Sequence, residues 1–155
     1  MFRTRVARVV VIPAVIAAAS LGSLAFASAS GASVKPAVVT VKCTSLSGTA
    51  GGTGTISGCS DSSATGGSGT FPATPGSGSQ KVSWASGGTT TATFNYNQAS
   101  TSTCPSGDSE YIITGSVTKN KGAAKSIGTG GKLKGDVCLS STLQLSLAPG
   151  TKFKL

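Results

Sequence analysis

Residues 80–96 read QKVSWASGGTTTATFNY. Val82 and Trp84 fall on one side of the outgoing half, and after the turn Ala85-Ser86-Gly87-Gly88 the return half places Ala92, Phe94 and Tyr96 on one side. Successive side chains of an extended chain point to opposite faces. Period-two alternation around a glycine turn therefore specifies a β-hairpin with one dry face and one wet face. A helix would need apolar residues three and four apart, and no useful run of that spacing follows the N-terminal stretch.

Working outward, the same grammar recurs. Val39-Thr40-Val41-Lys42-Cys43 alternates, a turn follows at Gly51 and Gly52, and residues 54–59 return with Ile56 as their apolar anchor. These two runs are expected to pair as a hairpin that brings Cys43 to Cys59. Residues 60–69 read as a Ser/Gly-rich loop, Thr70-Phe71 start a short strand, and Pro72 and Pro75 punctuate the chain. Cys104-Pro105-Ser106-Gly107-Asp108 is turn chemistry leading into YIITGSVT, residues 111–118, the most β-prone run and the expected central strand.

Residues 119–135 read as a Gly/Lys-rich connection, or as two strand ends with a mobile tip. At the close, Leu143, Leu145 and Leu147 are expected on one strand face, and Phe153 and Leu155 inward after an Ala148-Pro149-Gly150 turn. Seven to nine short strands without a helix predict an all-β, antiparallel β-sandwich of immunoglobulin-like architecture, with a small β-barrel as the alternative. The immunoglobulin pattern is only partly met, because Trp84 lies between Cys59 and Cys104, which are assigned to different bridges.

The N-terminus follows another logic. Arg3, Arg5 and Arg8 precede an apolar stretch from Val9, and small residues end in Ala25-Phe26-Ala27 and Ala27-Ser28-Ala29. That order predicts an export signal over 1–27, a lead-in over 28–37 and one β-domain over 38–155. The rival is a retained anchor, since residues 9–27 carry no charge, but Pro13, Ser20, Gly22 and Ser23 dilute the run. No transmembrane span is expected in the mature form. Losing the three signal arginines leaves ten lysines against four carboxylates, a net +6.

Four cysteines in an exported chain read as two disulfides, Cys43 with Cys59 and Cys104 with Cys138, each joining neighbouring strands. Zinc is disfavoured, because paired CxxC spacing and histidine are both missing. The lack of histidine also removes the commonest general base and the usual partner of a serine or cysteine nucleophile. A Ser/Lys dyad has no residue to select it. The Gly-rich stretches 51–54 and 128–132 lack the spacing and helix context of phosphate loops, and no cofactor is expected.

Asp108 and Glu110 are the one close acidic pair and the basis of an alternative, a polysaccharide-acting enzyme. The plainer expectation is that Asp108 caps a turn and Glu110 opens a strand. Trp84, Phe94, Tyr96 and Tyr111 are expected to fill the core rather than form a sugar platform. Lys119, Lys121, Lys125, Lys132 and Lys134 fall within 16 residues, and Lys152 and Lys154 follow. Such a face attracts anionic envelope polymer or lipid headgroups, or serves solubility alone; without arginine or many aromatics, nucleic acid is the weakest fit.

With Cys43, Gly58-Cys59, Trp84-Ala85-Ser86-Gly87-Gly88-Thr89-Thr90, Cys104-Pro105 and Leu147-Ala148-Pro149-Gly150-Thr151-Lys152-Phe153 in view, the chain resembles small exported proteins of actinomycete-type bacteria with a disulfide-stapled β-domain. The resemblance covers most of the mature chain and implies location and fold. Its motifs are turns and cysteines, and it implies no activity and no site residue. The expectation is a secreted or envelope-associated, non-catalytic binding module whose lysine-rich face is residues 119–134.

Overall fold

The computed structural model describes residues 38–155. The export signal, the lead-in and the rival anchor all fall outside the described residues. The chain forms β1 (Lys42–Cys43), β2 (Ser45–Thr49), β3 (Thr53–Ser57), a helical turn α1 (Ser62–Thr65), β4 (Ser68–Pro72), β5 (Gly78–Trp84), β6 (Thr89–Gln98), β7 (Ser109–Lys121), a 3-10 turn (Gly122–Ser126), β8 (Lys132–Leu139), β9 (Gln144–Leu147) and β10 (Phe153–Lys154).

Every strand from β2 to β9 pairs antiparallel with the next in sequence. β9 then pairs back onto β2, with Ser47 opposite Ser146 and Thr49 opposite Gln144. The sheet thus closes into an eight-stranded up-and-down β-barrel. The expected sandwich is wrong, although the all-β class and the antiparallel order hold. Local alternation is identical in a sandwich and a barrel. What separates them is the closing pair, formed by residues nearly a whole domain apart in sequence.

β1 and β10 extend the lines of β2 and β9: Lys42 stands opposite Lys154 and Cys43 opposite Phe153, while Lys154 also stands opposite Lys134 of β8. The first run therefore pairs with the C-terminus rather than forming the expected hairpin with residues 54–59. That hairpin belongs to β2, where Leu46 stands opposite Ile56. With a single large apolar residue in SLSGT, β2 carries little strand signal of its own. Lys42 O still accepts from Ser60 N (2.8 Å) and Thr44 N donates to Ser57 O (3.1 Å), so the Cys43 segment does run beside Cys59. The structure closes both disulfides, Cys43–Cys59 and Cys104–Cys138.

The hairpin of residues 80–96 forms as read, with Val82 opposite Thr90 and the turn held by Trp84 N donating to Gly88 O (2.9 Å). YIITGSVT lies within β7, between β6 and β8. Three other expectations change. Residues 60–69 are not a plain loop: Asp61 caps α1 by accepting from Ala64 N (3.2 Å), and Ala64 and Thr65 are fully buried. Of the two readings of residues 119–135, the two strand ends hold, as β7's end and β8's start, but the tip between them is a 3-10 turn with Ala124 and Ile127 buried. Leu143 leaves its expected face for the β8–β9 turn, where it has a left-handed backbone (φ 63°) and is 51% exposed.

The two ends of the barrel differ. At one end α1, the β5–β6 turn and the 3-10 turn converge, with Ser86 Oγ donating to Ala64 O (2.6 Å). Beneath them a chain of polar groups is enclosed. Trp84 Nε1 donates to Thr90 Oγ1 (2.8 Å), Thr90 Oγ1 to Asn120 Oδ1 (2.7 Å), and Asn120 Nδ2 to the Ile127 carbonyl (2.7 Å). Val41 and Leu155, joined by reciprocal backbone hydrogen bonds, complete this plug. A buried donor left without an acceptor costs about 1–3 kcal/mol. The nearly isosteric substitution Thr90→Val, which strands both Trp84 Nε1 and Asn120 Oδ1, is therefore expected to lose at least that much in guanidinium unfolding. Loss below about 0.5 kcal/mol would mean the chain does not hold the plug.

Candidate functional site

Two features stand out, one on the outer wall and one inside. On the wall, pairing register lays three lysines abreast: Lys42 on β1, Lys154 on β10 and Lys134 on β8, all exposed. Directly opposed residues in a sheet have β-carbons about 5 Å apart, and like charges in that relation are destabilising. The neighbour that continues the row beyond Lys134 is Thr114 of β7, so no carboxylate stands opposite any of the three.

Lys132 shares the outer face of β8, two residues from Lys134. Lys152 joins Lys134 and Lys154 around a notch of about 310 Å³ whose remaining lining is Gly135, Asp136, Gly150 and Thr151. Asp136 is the only acid in that notch, and its buried Oδ1 has no hydrogen-bond partner.

The structure thus divides the five lysines expected as one patch. Lys132 and Lys134 join Lys42, Lys152 and Lys154. Lys119 stands opposite Thr91, itself opposite Lys81, so it belongs to a second row on β5–β7. Lys121 stands opposite Thr89, and Lys125 sits in the 3-10 turn of the plugged end. Lys42 was missed because nothing near it in sequence marks it; only the pairing of β1 with the C-terminal strand puts it there.

The acidic pair does not frame a cleft. Glu110 is 7% exposed and accepts hydrogen bonds from Thr103 N (2.5 Å) and Thr103 Oγ1 (3.0 Å). It stands opposite Cys138, whose bridge to Cys104 pins the same loop to the outside of the barrel. Asp108 lies in the preceding turn, its N–H donating to Pro105 O (3.0 Å). The Glu110 carboxylate thus holds the β6–β7 connection, and Asp108 takes part in its turn through the backbone.

Inside the barrel, the end away from the plug holds a cavity of about 240 Å³. Its wall includes Leu46, Phe71, Phe94, Ile113, Val137 and Leu145, and no charged residue lines it. Exposed Pro75 and Gly76 also border it, so the cavity reaches the surface beneath the β4–β5 loop. That loop is held by Thr74, whose carbonyl accepts from Tyr96 Oη (3.0 Å) and whose hydroxyl accepts from Gln80 Nε2 (2.7 Å).

The wall is thin where rings lie on it: a β-carbon on Gly54 would collide with the Phe71 ring, and one on Gly135 with Phe153. Of the four aromatics expected in the core, Trp84 and Phe94 are buried. Tyr96 and Tyr111 are half-buried and stacked edge to face at 6.5 Å on the cavity wall. Nothing in the sequence distinguishes packing aromatics from cavity-lining ones.

A void of this size is costly. Residues lining an apolar cavity of this size lack packing partners on one side and forgo those dispersion contacts. Comparison of the chain with family models, with curated proteins and with solved structures finds no match in any of the three. The site therefore rests on its own geometry.

Burial raises the Tyr96 hydroxyl above its ordinary value near 10. A phenol with a raised folded value keeps its stabilising contribution below the unfolded value and loses it as pH climbs through the folded one. The Tyr96–Thr74 hydrogen bond is thus expected to persist to pH 10 and open above it. Protection of the loop amides against hydrogen exchange, extrapolated across that range, should fall in the native protein and be lower and pH-independent in Tyr96→Phe, while the Ala73 amide keeps its bond to Gly52 O in both. Equal protection in both proteins would show that the hydroxyl does not hold the loop.

Proposed function

We propose that the protein is an exported, non-catalytic β-barrel module that attaches to anionic polymer of the cell envelope through Lys42, Lys154 and Lys134, with Lys132 and Lys152 at the margin. The observation that carries this reading is the row of three opposed lysines. A face serving solubility alone works best with both signs interspersed. Three cations abreast cost stability in the free protein, and a polyanion removes that cost by neutralising all three at once.

Two closed disulfides suit an oxidising compartment. Among the described residues no helix is long and apolar enough to cross a membrane. The three-zone N-terminus supports the export part of this reading. The non-catalytic reading draws on Glu110, whose carboxylate is already taken up by Thr103.

The test compares two triple variants on an immobilised polyphosphate chain. Lys42→Gln/Lys134→Gln/Lys154→Gln is expected to elute at much lower salt, with the slope of log affinity on log salt reduced by about 2–3, at just under one per phosphate contact. Its melting temperature at low salt should stay level or rise, because the mutual repulsion is gone. Lys119→Gln/Lys121→Gln/Lys125→Gln should bind nearly as the native protein does. Equal losses in both variants would reduce the effect to net charge and overturn the reading. Binding to anionic vesicles without binding to the soluble polymer would transfer the partner to lipid.

A further inference from the structure

We infer that the barrel interior is a second, separate binding site, for an uncharged apolar molecule of about ten non-hydrogen atoms. The size follows from the volume: an apolar cavity of about 150 Å³ holds benzene, and the space here is about 240 Å³. A substituted benzene or a ten-carbon terpenoid fits that measure. The chemistry follows from the lining, which holds no charged group, and whose Tyr96 hydroxyl and Gln80 amide are both turned to Thr74. A charged ligand would lose its hydration and gain no partner.

The cavity is distinguished from a packing fault by where it lies. At the plugged end the same barrel packs Ile56, Ala64, Ala124 and Ile127 to 1% exposure or less and satisfies its buried polar groups with one another. Protein interiors of this kind leave few voids larger than a water molecule. The open space runs from the barrel's middle to the opposite end, where half-buried Phe71, Tyr96, Ile113 and Leu145 border it. Entry is beneath the β4–β5 loop, whose Thr74 is the point of attachment for both Tyr96 and Gln80. An apolar ligand fills the void and recovers the contacts that its lining lacks.

The test uses n-butylbenzene as the probe on the folded, disulfide-intact protein. Saturable binding with a dissociation constant below about 1 mM is expected, with a rise in melting temperature and NMR shifts concentrated at Phe71, Tyr96, Ile113 and Leu145. The lysine row should be unmoved. 4-Butylbenzoate, of similar shape but charged, should bind at least tenfold more weakly. Leu145→Trp, at the half-buried edge, should abolish binding, and Ala92→Phe, in the interior, serves as the second blocking variant, each checked for a cooperative melt. Equal binding by benzoate and hydrocarbon, binding unchanged in both variants, or uptake of xenon without butylbenzene would each overturn the assignment.

Discussion

The pairing of β9 with β2 is the constraint on which the rest depends. Its register, from Ser47 with Ser146 to Thr49 with Gln144, removes the last two open edges of the sheet. A chain with 22 glycines and few large apolar residues forms strands that are individually weak. Closure offsets this, because every interior strand then has two hydrogen-bonded neighbours and the backbone supplies stability that side chains cannot. The same closure encloses a space with a volume fixed by strand number, and eight strands enclose about as much as side chains fill, or slightly more.

How that space is used follows from the connections. At the plugged end they are long enough to fold back: α1 and the 3-10 turn bring Ala64, Thr65, Ala124 and Ile127 over the opening. At the other end the β2–β3 and β8–β9 turns are short; the first contributes only Ala50 to the cavity wall, and Leu143, the large apolar residue of the second, is 51% exposed. The β6–β7 connection is pinned outside the wall by Cys104–Cys138 and by Glu110 on Thr103. The β4–β5 loop covers the cavity, tied to the β2–β3 turn by backbone hydrogen bonds of Ala73 with Gly51 and Gly52 and to the wall by two side chains that meet at Thr74.

Elements set by nearby residues were legible in the sequence. The 80–96 hairpin, the β7 run and the inward Phe153 and Leu155 follow from alternation and turn chemistry; the disulfide partners are as expected, although Cys43 pairs in β1 with the C-terminal strand and Cys104 lies in the β6–β7 connection rather than on a strand. Elements set by distant pairing were not. β2 has one apolar side chain to announce it, and while its partner β3 follows directly, its other partner β9 lies nearly the whole domain away in sequence. α1 reads as a Ser/Gly loop because it is a single turn: its Asp61 cap is local, but the burial of Ala64 that holds the turn in place is a tertiary effect. The site was half legible: the lysines were visible as a cluster, but which of them stand together depends on a β1–β10–β8 register that alternation cannot supply. The cavity left no sequence signal at all, since Tyr96 and Tyr111 have the spacing and chemistry of ordinary core residues.

Strand β8 explains how one thin wall serves both features. Lys132 and Lys134 face out into the cationic row, and Leu133, Val137 and Leu139 face in and line the cavity, with Gly135 between them giving room to Phe153. Because the side-chain period is two, these assignments are inseparable: a slip of one residue would turn the lysines into the barrel and the leucines into water. β8 is also the strand with three partners, β7, β9 and β10, and it carries Cys138. Its register is thereby fixed from both sides and by a covalent bond. The strand whose register sets both features is the one the fold constrains most, and the burial of its apolar face is what holds its lysines abreast of Lys154 and Lys42 despite their repulsion.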